Sequence, residues 1–173
     1  MFETTHHLFE TPRLQVRHLH SGDFAELLEV YGDRDAMRWV GDGEPISEEE
    51  ARRWLEITQN NYARYGYGMA ALVERETGEL VGFCGLVHPG GQSEAEIKYA
   101  LKRRYWGAGL ATEAVTAMLA YGRDTHSLSH VIATVAPDNL ASHRVLLKSG
   151  MTQGELRPND DGSFTQLFEW RAE

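Results

Sequence analysis

The sequence predicts a mixed α/β fold of the α+β kind, in which helices flank a central mixed sheet that is mostly antiparallel. Predicted strands follow one another directly near residue 75 and again at the C-terminal end. A doubly wound parallel sheet would instead alternate strands and helices from its start. The chain has 173 residues, 42% of them hydrophobic, with no internal repeat and no linker-like stretch. We therefore expect a single domain that covers residues 1–173.

The first elements are predicted to be one strand and two helices. Apolar and polar residues alternate over residues 13–19, which indicates a strand. Ser21 has the residue type of an N-cap and precedes apolar residues at helical spacing. Ser47 and Glu50 form the pattern of a capping box, which predicts the start of a second helix.

The other strands are predicted from short apolar runs that are bounded by turn residues. These strands cover 69–74, 79–86, 95–101, 130–135, 151–156 and 164–171. The first two and the last two of them are predicted to form hairpins. A long helix follows Gly107 and runs to about residue 124, and Asn139 opens a shorter helix that Gly150 ends.

The chemistry of the chain is concentrated between the strand 95–101 and the long helix. Gly107 and Gly109 allow main-chain N–H groups to approach a ligand closely. The first turn of the following helix leaves its N–H groups unpaired, and the helix dipole attracts an anion there. The nearby cations are Lys98, Lys102, Arg103 and Arg104. Together these features predict a phosphate cradle.

Two familiar phosphate-binding motifs do not fit this cradle. A P-loop would end in Gly-Lys-Ser/Thr, and that sequence is absent. A dinucleotide-binding fingerprint would have a third glycine at position 112, which is occupied by Thr112. The ligand is therefore of another phosphate-bearing class.

The loop resembles the signature Q/R-x-x-G-x-G/A of the GNAT superfamily of N-acetyltransferases, in the form used by its ribosomal-protein-alanine N-acetyltransferase branch. Including this loop, five segments resemble motifs of that branch in the same order along nearly the whole chain: 11–17, 96–99, 106–114, 139–146 and 148–151. The run 102–104, Lys-Arg-Arg, replaces the Ala-Pro-Glu that is common in the branch. That departure predicts a more basic cofactor entrance.

The resemblance implies a GNAT fold whose sheet is splayed at the acetyl-CoA site. Acetyl-CoA would be the acyl donor, with its pyrophosphate on the main chain of 107–111 and with help from the Thr112 hydroxyl. Its pantetheine arm would pair with the strand end at 99–101 and contact Asn139 and Ser142. The implied cofactor-binding residues are Tyr99, Leu101, Trp106, Gly107, Ala108, Gly109, Leu110, Ala111, Thr112, Asn139 and Ser142.

Three residues are candidates for catalysis of a direct transfer to a primary amine. The resemblance implies that the Leu101 N–H stabilises the negative charge that develops on the thioester oxygen. Many members of the family have a tyrosine as general acid where this chain has Leu146, and Ser142 is the substitute donor. Glu96 is the preferred base, acting directly or through water, and Glu94 shares its strand face.

Other side chains receive simpler interpretations. Cys84 is expected to be a core residue, and as the lone cysteine it excludes an internal disulfide. The eight histidines form no metal-binding pattern, so no metal is expected. Aromatic residues in the helical pair and the following loop are candidates for the acceptor cleft: Trp39, Trp54, Tyr62, Tyr65 and Tyr67.

The acceptor amine is left open between a protein N-terminus, including a ribosomal one, and a small molecule. A formal net charge of −9 argues against nucleic-acid binding and is mildly compatible with a cationic substrate. Without a secretory signal or a membrane-length apolar run, we expect a soluble cytoplasmic monomer or homodimer. The alternative function is a non-catalytic acyl-CoA-binding sensor, which the absent tyrosine at Leu146 keeps open.

Overall fold

The computed structural model describes residues 6–39 and 43–173, and within them the chain forms one eight-stranded sheet. The strands are β1 (His7–Glu10), β2 (Leu14–His18), β3 (Met69–Glu74), β4 (Leu80–Val87), β5 (Ala95–Leu101), β6 (His130–Val135), β7 (Thr152–Pro158) and β8 (Phe164–Arg171). Their order across the sheet is β1-β2-β3-β4-β5-β6-β8-β7. Every neighbouring pair is antiparallel except β5 and β6, which are parallel. The predicted mixed, mostly antiparallel sheet is confirmed.

Helices cover both faces of this sheet. They are α1 (Phe24–Tyr31), α2 (Arg34–Met37), α3 (Glu48–Tyr65), α4 (Leu110–His126) and α5 (Leu140–Lys148). One apolar core joins α4 and α5 to the sheet, for example through Met118 and Leu146. A second core joins α1 and α3 to the opposite face, for example through Leu27 and Ala51. The two cores hold the helices in layers on either side of the strands.

The predicted helix starts are right at one place and wrong at another. Ser47 caps α3 as predicted, since its Oγ accepts the Glu50 N–H at 3.1 Å. Ser21, by contrast, lies in a 3₁₀ turn that is capped by His20, and α1 begins only at Phe24. The tight turn forms because Asp23 accepts hydrogen bonds from the Arg17 guanidinium and from the His20 N–H.

Two short elements were not predicted from the sequence. Strand β1 and helix α2 each contain four residues, which is too short for a repeating pattern of apolar and polar residues to be recognised. Strand β1 pairs with β2 at the edge of the sheet, and α2 starts where Asp33 caps the N–H groups of Asp35 and Ala36.

The sheet opens between its two parallel strands. Strands β5 and β6 are in register only at Ala95 with Val131 and at Glu96 with Ile132. Strand β5 nevertheless continues to pair with β4 as far as Leu101. The edge of β5 that faces β6 is therefore open from Ile97 onward, which is the splay that the sequence predicted.

Candidate active site

A large cleft follows this split in the sheet. Its volume is about 1700 Å³, which exceeds the roughly 300–1,000 Å³ of a typical site for one small ligand. The lining residues with numbers 97–148 form what we call the cofactor arm, and those with numbers 31–90 form the acceptor arm. The tip of the β7–β8 hairpin adds a third wall that the sequence did not predict, including the half-exposed Phe164.

The predicted phosphate cradle lies at the start of α4. Gly107 and Gly109 have φ values of +76° and +80°, a conformation that side-chain-bearing residues rarely adopt. Gly109 is the N-cap residue of α4. Leu110, Ala111 and Thr112 in the first turn line the cleft, so unpaired N–H groups and the positive end of the helix dipole face it.

The cradle is held by a clamp, formed by Thr11 and Arg13 in the turn between β1 and β2 and by Glu113 on α4. The Glu113 carboxylate accepts hydrogen bonds from the Thr11 hydroxyl at 2.6 Å and from the Arg13 N–H at 2.9 Å. The Arg13 guanidinium also bonds Glu113 at 2.8 Å and the carbonyl oxygen of Ala108 at 2.8 Å. Burial opposes the charge on Glu113, but the hydrogen bonds from Thr11 and Arg13 lower the pKa of its carboxyl. Two separate sequence motifs thus meet to fix the loop.

The basic run before the loop does not supply free charge to the cradle. Each cation has acidic partners: Lys98 with Glu96, Lys102 with Glu26 and Glu29, Arg103 with Asp33 and Asp35, and Arg104 with Glu29 and Glu79. Lys102 is only 5% exposed. The expectation of a basic entrance from these residues is wrong, because the chain folds acidic residues of α1 and its surroundings onto them.

Two other cations belong to the cofactor arm. Arg144 and Lys148 lie one turn apart on α5 and line the cleft. Within the described part of the chain, neither is paired with a carboxylate. Their i, i+4 spacing, after Asn139, was a signal in the sequence that the prediction overlooked.

The open edge of β5 presents Leu101 to the cleft. The Lys102 N–H donates to the Val81 carbonyl at 2.9 Å, and Leu101 lies opposite Gly82 in the same register. Because bonded and non-bonded pairs alternate along antiparallel strands, the Leu101 N–H points away from β4, toward the split. The Leu101 carbonyl is bound by the indole N–H of Trp106 at 2.9 Å.

A hydrogen-bonded cluster lies opposite this edge. The Ser142 Oγ is 3.0 Å from the donating hydroxyl of Tyr99 and 3.1 Å from the donating Nδ2 of Asn139. The Ser142 N–H donates in turn to Asn139 Oδ1 at 3.4 Å. With both lone pairs of its oxygen occupied, the Ser142 proton is available to a group in the cleft. Burial raises the pKa of Tyr99 to about 12, so its phenol stays a donor.

Most of the predicted cofactor residues line the cleft, and one does not. Those in the lining are Tyr99, Leu101, Trp106, Gly107, Gly109, Leu110, Ala111, Thr112, Asn139 and Ser142. Ala108 is outside the lining, and its carbonyl is bound by Arg13.

Glu96 is also outside the lining. It is 3% exposed, and its carboxylate is bound by Thr134 Oγ1 at 2.9 Å, Gln92 Nε2 at 3.2 Å and Lys98 Nζ at 3.3 Å. Direct contact between this carboxylate and an amine in the cleft is therefore not supported. Glu94 lies before the start of β5 and lines a separate shallow depression.

Only part of the predicted aromatic set lines the acceptor arm. Trp39 and Trp54 do so. Tyr62 instead accepts the Leu19 N–H at 2.9 Å and stacks on a histidine. Tyr65 and Tyr67 stack on each other and do not line the cleft. Trp54, Tyr62 and Tyr65 all lie on α3, and the sequence alone did not indicate which of these aromatic residues face the cleft.

Cys84 is fully buried in the α4-side core, as expected for a packing residue, and burial raises the pKa of its thiol. Among residues 6–39 and 43–173 there is no cluster of three metal-ligating side chains. In the same ranges, no helix combines the length and apolar character that a membrane span requires.

The comparisons with known proteins agree with this geometry. The family model for the acetyltransferase (GNAT) domain matches residues 13–152, so the chain belongs to the GNAT acetyltransferase family. It is an acetyl-CoA-dependent acetyltransferase. A Bacillus subtilis (strain 168) protein, YkkB, is 33% identical over 82% of this chain and 83% of its own length. YoaA of the same organism, named an N-acetyltransferase, is 30% identical over 87% and 86%.

Solved structures share the fold along nearly the whole chain. A GNAT-family acetyltransferase from Bacillus anthracis superposes with a TM-score of 0.80 at 24% identity, covering 94% of this chain and 96% of that one. RimL, a ribosomal L7/L12 α-N-protein acetyltransferase solved with coenzyme A, gives 0.78 at 16% identity over 95% and 97%. Spermidine N-acetyltransferase from Vibrio cholerae gives 0.76 at 17% identity over 93% and 96%. At these identities the likeness concerns the fold.

Proposed function

We propose that this protein transfers an acetyl group from acetyl-CoA directly to a primary amine that enters through the acceptor arm. The observation that carries the proposal is the open edge of β5, from Ile97 to Leu101, beside an unobstructed cradle at Gly107. An extended pantetheine chain can lie along such an edge like an added strand. When bound, acetyl-CoA supplies an activated thioester, so no covalent enzyme intermediate is required.

The cofactor arm would hold the donor by main chain and by charge. The N–H groups of 107–111 are suited to the pyrophosphate, with Thr112 as an additional hydroxyl donor. Arg144 and Lys148, which have no carboxylate partner among the described residues, are placed to meet further negative charge of the donor. The Leu101 N–H would stabilise the charge that develops on the carbonyl oxygen.

We assign a hydrogen bond to the leaving sulfur to Ser142, which stabilises the departing thiolate until the thiolate takes a proton from water. The Ser142 oxygen accepts from Tyr99 and Asn139, so its own proton is directed elsewhere, and the half-buried phenol of Tyr99 keeps it oriented. This arrangement replaces the tyrosine that is absent at Leu146. The demand on the donor is modest, because a thiol has a pKa of about 8.5 and its anion leaves readily.

Removal of the proton from the incoming ammonium is assigned to Glu96 acting through water. Lys98 and Thr134 both line the cleft and both donate to the Glu96 carboxylate. A water bound beside them can connect the amine with the buried carboxylate.

The test is thiol release from acetyl-CoA in the presence of small primary amines and of short peptides with a free N-terminus. An enzyme should release thiol with at least one class, and Ser142→Ala should lower kcat by a larger factor than it raises the Kd for acetyl-CoA. Saturable binding of acetyl-CoA without transfer to any amine would instead support the non-catalytic sensor.

The branch motifs favour a relationship to the ribosomal-protein N-acetyltransferases, which makes a protein N-terminus one acceptor class to include. These motifs lie mostly on the cofactor side, however, in the segments 96–99 and 106–114. They therefore leave the acceptor arm as the part of the molecule that selects the amine.

A further inference from the structure

The acceptor arm has an apolar surface that is accessible from the cleft. Trp39 is 39% exposed and Ile57 is 51% exposed, and both line the cleft. Trp54 and Val87 are partly buried and line it as well. Binding is stabilised when an apolar ligand covers large apolar side chains that are otherwise exposed at a cleft.

The same arm offers no free carboxylate among the residues that the structure describes. Of its lining residues, Asp35 carries a negative charge, and its carboxylate is bound by Arg103 at 2.7 Å. Arg38 adds a positive charge, with its guanidinium 4.8 Å from the centre of the Trp39 ring. His88 bonds the Tyr67 hydroxyl at 2.7 Å and supplies no carboxylate. The described arm is therefore not acidic, although the whole chain carries a net charge of −9.

These two observations point to the chemistry of the acceptor. We propose that the acceptor is a small primary amine that carries one apolar body, aliphatic or aromatic, and no second cationic group. This inference rests on the proposed function. Among the described residues of the arm, a second ammonium would lose water without gaining a free carboxylate partner, and Arg38 would repel it. An alkyl or aryl body would instead cover Trp39 and Ile57.

The sharpest test uses two amines of equal length, hexylamine and 1,6-diaminohexane, as acceptors in the thiol-release assay with saturating acetyl-CoA. We expect kcat/KM to be at least tenfold higher for hexylamine. In the series from propylamine to hexylamine, kcat/KM should rise about fourfold for each added methylene group.

A variant of the arm should change this selectivity. Ile57→Glu introduces a carboxylate at a half-exposed position, so the fold should tolerate it. The ratio of hexylamine to diaminohexane should fall by at least tenfold. The matched control is Leu147→Glu, because Leu147 is 49% exposed on α5 but does not line the cleft. In this control the ratio should stay as in the wild type.

Each outcome distinguishes the inference from the function on which it rests. Equal or faster acetylation of the diamine, or acetylation of peptides alone, would overturn the inference and leave acetyl transfer standing. An unchanged ratio in Ile57→Glu would also overturn it. If no amine releases thiol while acetyl-CoA binds, the proposed function falls, and this inference falls with it.

Discussion

The two arms of the cleft are built from different parts of the chain. The cofactor arm relies on main-chain groups: an open strand edge, two glycines with positive φ and the first turn of α4. The acceptor arm relies on side chains, such as Trp39 just after α2 and Ile57 on α3. Main-chain groups can bind the same donor, acetyl-CoA, whichever amine is the acceptor. The side chains of the acceptor arm, by contrast, can be substituted without disturbing the cradle. Substitutions in the two arms should therefore affect different kinetic constants.

The largest effect is expected from the cradle itself. Gly107→Ala places a side chain at φ +76°, which costs about 1–2 kcal/mol unless the loop moves. If the loop moves, its main-chain N–H groups no longer point toward the bound donor, and KM for acetyl-CoA should rise roughly 5–30-fold. Steady-state kinetics with varied acetyl-CoA measures this.

The control for that variant is Gly78→Ala in the β3–β4 turn. Gly78 has φ +75° and, like Gly107, open space where a Cβ would be. Both variants should lose similar stability, but only Gly107→Ala should lose affinity for acetyl-CoA. An equal rise of KM in both would mean that the cradle glycine acts through stability alone.

Trp39→Ala should sharpen the comparison from the acceptor side. Removing this exposed ring takes apolar contact area from the acceptor, so KM for a preferred amine should rise about tenfold. KM for acetyl-CoA should not change, because Trp39 belongs to the other arm. A change in the acetyl-CoA constant alone would mean that the two arms are assigned the wrong way round.

A smaller effect is expected from the clamp behind the cradle. Glu113→Gln keeps the shape of the side chain but removes the charge that binds Thr11 and Arg13. Losing such hydrogen bonds should raise KM for acetyl-CoA a few-fold and leave the KM for the amine as it was. Paired titrations of both substrates would detect the difference, and a rise in the amine constant would contradict it.

The smallest effect on the kinetic constants is expected at His18, whose titration bears on stability. His18 stacks on Tyr62 with ring centres 3.7 Å apart, and its Nε2 is buried without a hydrogen-bond partner among the described residues. Burial, followed by the nearby His6 and His126, lowers the pKa of His18 from 6.5 to about 4. As the pH falls, His18 is therefore protonated in the unfolded chain at a higher pH than in the folded chain. The free energy of unfolding should fall as the pH drops from 6.5 toward 4.

This pH dependence is checked by Tm measurements between pH 7 and pH 5. His18→Phe keeps a ring on Tyr62 but removes the titrating nitrogen, so its Tm should fall less over that range. A parallel fall in wild type and variant would show that other groups control the acid sensitivity.

The features that were predictable from the sequence are those with local causes. The glycines of the cradle, the Ser47 cap and the antiparallel strand order follow from residue type and spacing, and the structure has them. Partners that are distant in sequence were not predictable. The acids that neutralise Lys102 come from α1, about seventy residues away, and no local pattern indicates such pairing. The same limit concealed the hydrogen bond that Glu96 accepts from Thr134, 38 residues away.

Thermal unfolding in the presence of acetyl-CoA tests the central claim most directly, with ATP and NADPH as control ligands. A ligand at 100 times its Kd stabilises the folded state by about 2.7 kcal/mol. For a chain of this size the midpoint should rise by roughly 5–10 °C. We predict this rise with acetyl-CoA alone. No shift at saturating acetyl-CoA, or an equal shift with ATP, would contradict the assignment of the cradle.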